Sequence, residues 1–148
     1  MPTAWDLARF GSFLYVVNTY IFEVTMCVGP SMKPTFNESG DIVLVDHISA
    51  WRHRLKKDDV VIAVSPLNPR QTVCKRLKAL EGETVDIKRR RSHASTKSVT
   101  LPKGRVWLEG DNPSNSTDSR AYGPVPYAML KGRVFFKLWP LNEFGAVK

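Results

Sequence analysis

The 148-residue chain has little of what usually marks a function outright. Its two cysteines, Cys27 and Cys74, are too few and too widely spaced for the disulfide framework of a small secreted scaffold. Its three histidines, His47, His53 and His93, have no HExxH or CxxC companion, so no structural metal site is expected. There is no internal repeat. There is also no GxSxG elbow, because the nearest match, Gly29-Pro30-Ser31-Met32-Lys33, ends in lysine. Nor is there a long uninterrupted apolar run. The most hydrophobic stretch, residues 10–28, is near the minimum length for a membrane-spanning helix and contains Asn18 and Glu23. An acid at mid-membrane costs about 2.5–3.5 kcal/mol on insertion scales. Acidic residues are also short, 14 against 22 basic, and the net charge of +8 favours anionic lipid, acidic protein or nucleic acid as partner without choosing among them.

What is present fits one folded domain: 43% of residues are hydrophobic and 24% charged. In residues 10–28, helical spacing puts Tyr15, Thr19 and Glu23 on one side and Leu14, Val17, Ile21, Val24 and Val28 on the other. This predicts a helix packed against a partner in the membrane, or lying in its interface; a helix on a soluble core is the plainer alternative. Beyond Val28 come short β-like runs at 42–45, 60–64, 72–77, 84–87, 106–109 and 133–138, many of them bounded by proline. The expected fold is mainly β, a compact antiparallel barrel or sandwich with one N-terminal helix. Residues 88–98, KRRRSHASTKS, read as a solvated basic loop or as a lipid- or partner-binding patch. The segment offers neither aromatic platforms nor a groove-reading helix, so nucleic acid is not expected to be the partner.

Three segments can carry chemistry. In the first, Ser31 lies between Pro30 and Pro34, whose fixed φ stiffens the chain, so it is either a nucleophile held in a rigid frame or part of a plain turn. In the second, alternation along a strand puts Val73, Lys75 and Leu77 on one face and Cys74, Arg76 and Lys78 on the other. Lys75, unlike Arg76 or Lys78, then projects from an apolar face where it can be desolvated. An ordinary lysine, with a pKa near 10.4, is only about one part in a thousand neutral near pH 7.4. Burial lowers that pKa and makes the amine usable as a base; a snorkelling lysine is the common alternative. The third segment, residues 106–126, is a strand running into a loop dense in Gly, Asn, Asp and Ser, of the kind ordered by side-chain-to-backbone hydrogen bonds. It holds Asp118 and Arg120, close enough to pair, and an Asn115-Ser116-Thr117 sequon not expected to carry sugar there.

In order and wording these segments resemble the type I signal peptidase family: PSMKPT at 30–35, CKR at 74–76, then GDN at 110–112 with NSTDSRAYGPV at 115–125. VWLEGDN, NSTDSR and the late GRVFFKLWPL are most similar to its mitochondrial inner-membrane branch, and the large second β-domain of bacterial members is missing. The resemblance implies a serine endopeptidase that needs neither metal nor cofactor. Ser31 aligns with the nucleophile, its backbone N–H facing the oxyanion. Lys75 aligns with the general base and Ser116 with the serine that orients its amine. Asp118 and Arg120, with Asp111 and Asn112, align with supporting positions, and Met32 with a residue shaping the substrate groove. Some members carry an oxyanion-donating serine where this chain has Gly29; one such donor is worth about 10²–10³ in rate. The implied division is 1–28 as membrane-anchoring helix and 29–148 as β-rich catalytic domain. The implied partners are leader peptides of precursor proteins, membrane lipid and a related protease subunit, with the catalytic domain facing the intermembrane space. The competing readings are a substrate-presenting subunit without activity and a serine–histidine site pairing Ser31 with His47 or His53.

Overall fold

A computed structural model describes residues 1, 3–88 and 96–147. The arginine-rich part of the basic segment therefore lies outside the described residues, and with it the reading of that segment as a binding patch.

One antiparallel sheet carries the structure. In spatial order it comprises β1 (Phe22–Cys27), β2 (Asp41–Asp46), β9 (Leu130–Trp139), β3 (Val60–Val64), β4 (Thr72–Ala79), β7 (Arg105–Glu109) and β8 (Val125–Pro126), with β10 (Gly145–Ala146) added to β9. β5 (Thr84–Lys88) and β6 (Thr96–Thr100) form a separate hairpin. The predicted runs fall within these strands. Residues 96–98, expected in a loop, pair with β5 instead: Val99 faces Val85 and Ser98 bonds Asp86 at 2.6 Å.

The unbroken apolar run of β3 follows from its central position. Val60 and Ile62 enter one core cluster, with Val43, Val45, Phe36 and Val134, while Val61 and Ala63 enter another, with Leu77, Val106, Leu108 and Val125. A strand buried on both faces does not alternate. The sheet is also curled. β1 and β4 stand four strands apart in the order, about 19 Å in a flat sheet at the usual 4.8 Å spacing. Yet Cys27 on β1 and Cys74 on β4 belong to the same packed cluster. Gly132 permits the close approach of β9 to β2, where a Cβ would stand 2.6 Å from Val45 Cγ1 and 2.8 Å from the Asp46 carbonyl.

The N-terminal segment departs from expectation. Helix α1 (Ala4–Val16), opened by a Thr3/Asp6 capping box, passes through a π-helical turn at Val17–Ile21 and gives way to β1. The helical face of Tyr15, Thr19 and Glu23 therefore does not form. Residues 22–28 alternate with period two, turning Phe22, Val24, Met26 and Val28 outward and Cys27 into the core. The edge of β2 takes six residues of β1 into register, and those backbone hydrogen bonds outweigh a local helical pattern. Glu23 meets His47 Nε2 at 3.2 Å across that seam. The sheet thus begins at Phe22, and the division at residue 28 moves back accordingly. α1 buries none of its residues, leaving Trp5, Phe10 and Phe13 exposed, and no described helix is long and apolar enough to cross a membrane.

Candidate active site

Ser31 sits in a 3-10 turn, Pro30–Met32, that follows β1. Gly29 precedes it at φ +112°, a conformation side chains rarely adopt, so glycine is what lets the chain turn there. Met32 is buried beneath the turn. Lys75 comes from the middle of β4, facing inward with Leu77, and is 4% exposed. The loop after β7 supplies the remainder of the site.

The Lys75 amine donates to Ser116 Oγ at 3.1 Å, and Ser116 Oγ donates to Asp118 Oδ2 at 2.7 Å. Asp118 is fully buried at the N-terminus of the short helix Ser119–Tyr122. It also accepts from the Gly110 N–H at 2.9 Å and from Arg120 Nε at 2.8 Å, with Arg120 Nη2 on its other oxygen. Burial pushes the Asp118 carboxyl up, but the bonds from Arg120, Gly110 and Ser116 outweigh it and hold the pKa at about 2. Lys75 moves below the ordinary lysine value of 10.5, chiefly because burial disfavours the ammonium. The Asp118 charge opposes that shift and Arg120 assists it. Asp118 thus fixes Ser116 while its own charge is neutralised from behind.

A second set of bonds ties this loop to the nucleophile turn. Asn112 donates its backbone N–H to the Ser31 carbonyl at 2.9 Å and its Nδ2 to the Pro30 carbonyl at 3.0 Å. At Gly110 a Cβ would stand 2.2 Å from Ser116 Oγ and 2.5 Å from the Ser31 carbonyl, so any side chain would separate the two halves of the site. Asp111 receives Arg76 at both oxygens, 2.7 Å each, and Thr35 Oγ1 at 2.5 Å. Below the turn, the Lys137 amine reaches Asp41 at 2.7 Å, Glu143 at 2.6 Å and the Thr35 carbonyl at 2.9 Å.

The expected residues therefore gather, with one qualification in geometry. Ser31, Met32 and Lys75 line one cavity of about 270 Å³ with Gly29, Cys27 and Cys74. Among the described residues no hydrogen bond joins Ser31 Oγ to Lys75 Nζ. His47 and His53 are elsewhere: His47 Nδ1 lies 2.8 Å from the Lys131 carbonyl, and His53 stacks on Tyr127 at 4.3 Å. Neither lines the serine's cavity. Strand alternation had turned Arg76 away from burial, yet it is buried, because the 110–118 loop covers that face of β4 as well. Gly110, Thr35 and Lys137 were not singled out from sequence. The only signal for Lys137 is a lysine inside an apolar run, the same signal that singled out Lys75.

Such a site can activate a hydroxyl without a metal: a buried amine beside a serine, held by a neutral hydroxyl, in an open groove. Over residues 7–93 and 88–139 the chain matches the family described as Signal peptidase, peptidase S26. It is 43% identical to mitochondrial inner membrane protease subunit 1 of Homo sapiens over 140 residues, which is 95% of this chain and 83% of that relative. It is 31% identical to mitochondrial inner membrane protease subunit 2 of Saccharomyces cerevisiae over 138 residues, 89% of this chain and 76% of that relative. Among solved structures it is similar to a signal peptidase I from Enterococcus faecalis V583, at 25% identity and a TM-score of 0.45, over 54% of this chain and 96% of that one.

Proposed function

The chain belongs to the signal peptidase S26 family, and from that membership we propose that it is a membrane-bound serine endopeptidase removing sorting peptides from precursor proteins at the mitochondrial inner membrane. The observation that carries the reading is the buried Lys75 amine, held by Ser116 in the cavity that also contains Ser31.

In this reading neutral Lys75 takes the Ser31 hydroxyl proton as Oγ attacks the scissile carbonyl, giving a tetrahedral intermediate. The Ser31 backbone N–H faces the developing oxyanion, and Gly29 supplies no side-chain donor. Lys75 then protonates the leaving amine, and the acyl group stays on Ser31. A water deprotonated by Lys75 hydrolyses that ester and frees the serine. Ser116 keeps the amine aimed, Asp118 and Arg120 keep Ser116 aimed, and Asn112 and Asp111 hold the nucleophile turn against the loop. Met32 shapes the groove floor, and the precursor lies extended between the end of β1 and β4. α1 keeps the domain at the membrane surface, and the catalytic domain faces the intermembrane space. Relatives named as subunits 1 and 2 of one protease support assembly with a related subunit.

The test is cleavage of a leader-bearing precursor, in detergent or lipid, by wild type, Ser31→Ala and Lys75→Met at equal folded concentration. Both variants are expected to lose cleavage, and the wild-type rate is expected to rise with pH through a midpoint below 10.5, because burial lowers the Lys75 pKa. Near-normal cleavage by Lys75→Met overturns the serine–lysine assignment. A folded wild type that stays silent even with a related subunit added favours the substrate-presenting role instead.

A further inference from the structure

The groove wall holds two groups that the proton-transfer chemistry leaves unused. Cys27 ends β1, four residues before Ser31, and Cys74 directly precedes Lys75 on β4. Curling of the sheet brings these distant strands face to face, so that Cys74 packs against the cluster containing Cys27 and both line the cavity of Ser31 and Lys75. Both are free thiols, Cys27 buried and Cys74 half-buried.

We propose that Cys27 and Cys74 are an oxidisable dithiol in the substrate groove, whose disulfide, formed by exchange with a low-molecular-weight disulfide, draws the walls together beside Lys75 and blocks the precursor. The blocking half rests on the protease reading above; the bond itself does not.

Roles within the pair are unequal. The neighbouring Cys74 thiol draws Cys27 below its ordinary range against the effect of burial, while the neighbouring Cys27 and burial push Cys74 up. The thiolate is the nucleophile in exchange, both thiols line the cavity, and in this proposal the first attack is made by Cys27. Its thiolate attacks one sulfur of the external disulfide; that S–S bond breaks and one external thiol leaves with the proton from Cys27. Cys74 then attacks the Cys27 sulfur of the mixed disulfide, and the second external thiol leaves with the proton from Cys74. The protein loses two protons and two electrons, and the external disulfide takes them up to become two thiols. A bond between them requires the two sulfurs to close to about 2.05 Å, and that displacement falls across the groove.

The full chain in detergent is equilibrated in mixtures of hydroxyethyl disulfide and mercaptoethanol, acid-quenched, alkylated and read by intact mass and peptide mapping. The expected product is one internal Cys27–Cys74 bond. Precursor cleavage is expected to fall in proportion to the bonded fraction and to return with dithiothreitol. The double variant Cys27→Ser/Cys74→Ser, compared with its own sample in reductant, is expected to lose no activity in the same mixtures. Binding of a fluorescent leader peptide to Ser31→Ala, oxidised against reduced, reads groove closure without catalysis and is expected to weaken on oxidation. Mixed disulfides without an internal bond, thiols free at every ratio, or a bond that leaves peptide binding unchanged would each overturn the proposal. A reduced wild type that cleaves nothing even with a related subunit added refutes the protease reading alone, because mass and peptide binding still decide the bond and the closure.

Discussion

Two lysines are buried on either side of the nucleophile turn, and their surroundings drive them in opposite directions. Lys75 is 4% exposed and Lys137 is 6% exposed, so burial disfavours the ammonium at both. Lys75 touches a neutral hydroxyl and falls below the ordinary lysine range. At Lys137 the carboxylates of Asp41 and Glu143 reverse the effect of burial and raise the pKa. Burial alone therefore does not make a base; burial with a neutral partner does. One lysine is arranged to give up its proton, while the other is arranged to keep it and hold the turn through the Thr35 carbonyl.

The contrast can be broken at either lysine. Lys75→Met is expected to lower kcat/KM by at least about 10²–10⁴-fold, the usual worth of a general base, while thermal unfolding shows a Tm no lower than wild type, since no buried charge loses its partner. Lys137→Met is expected to do the opposite. It leaves Asp41 fully buried without its cation and costs about 3–5 kcal/mol in denaturant unfolding. The midpoint of the pH–rate profile should stay in place in whatever remains folded.

A smaller effect is expected at Asp118. Its folded pKa of about 2 lies below the 3.8 of the free carboxyl, so its contribution is complete above 3.8 and disappears as pH falls through about 2. That difference amounts to about 2 kcal/mol. Acid unfolding of Asp118→Asn, compared with wild type, should lack that part of the pH dependence. The smallest effect sharpens the comparison. Arg120→Met removes the cation that neutralises Asp118 and makes the Lys75 environment more like that of Lys137. Its pH–rate midpoint is expected to move upward; an unchanged midpoint would mean that Asp118 does not act on the amine.

Much of the site was legible because its residues lie in short contiguous segments. Ser31 between prolines, Lys75 on an apolar strand face and Ser116 with Asp118 in a polar loop are each visible locally, and their order carries the family resemblance. The N-terminal segment was not legible. Residues 22–28 satisfy a helical stripe and a two-residue alternation together, and only the open edge of β2 decides between them. Arg76 was misplaced for a related reason: alternation predicts two faces, but not that a loop more than thirty positions away covers the second. Gly110 carries no chemistry, and its importance lies in the absent Cβ between Ser116 and the Ser31 carbonyl.

The sequence by itself determined the strand-rich class, the family and the residues able to do the chemistry, because periodicity and motif wording are local properties. Only the tertiary structure decided where the N-terminal helix stops, which of two buried lysines has its pKa lowered, and that Cys27 and Cys74 line one cavity. Each of these depends on groups brought together by the curl of the sheet, and a pKa or a strand pairing is set by those neighbours rather than by residues adjacent in the chain.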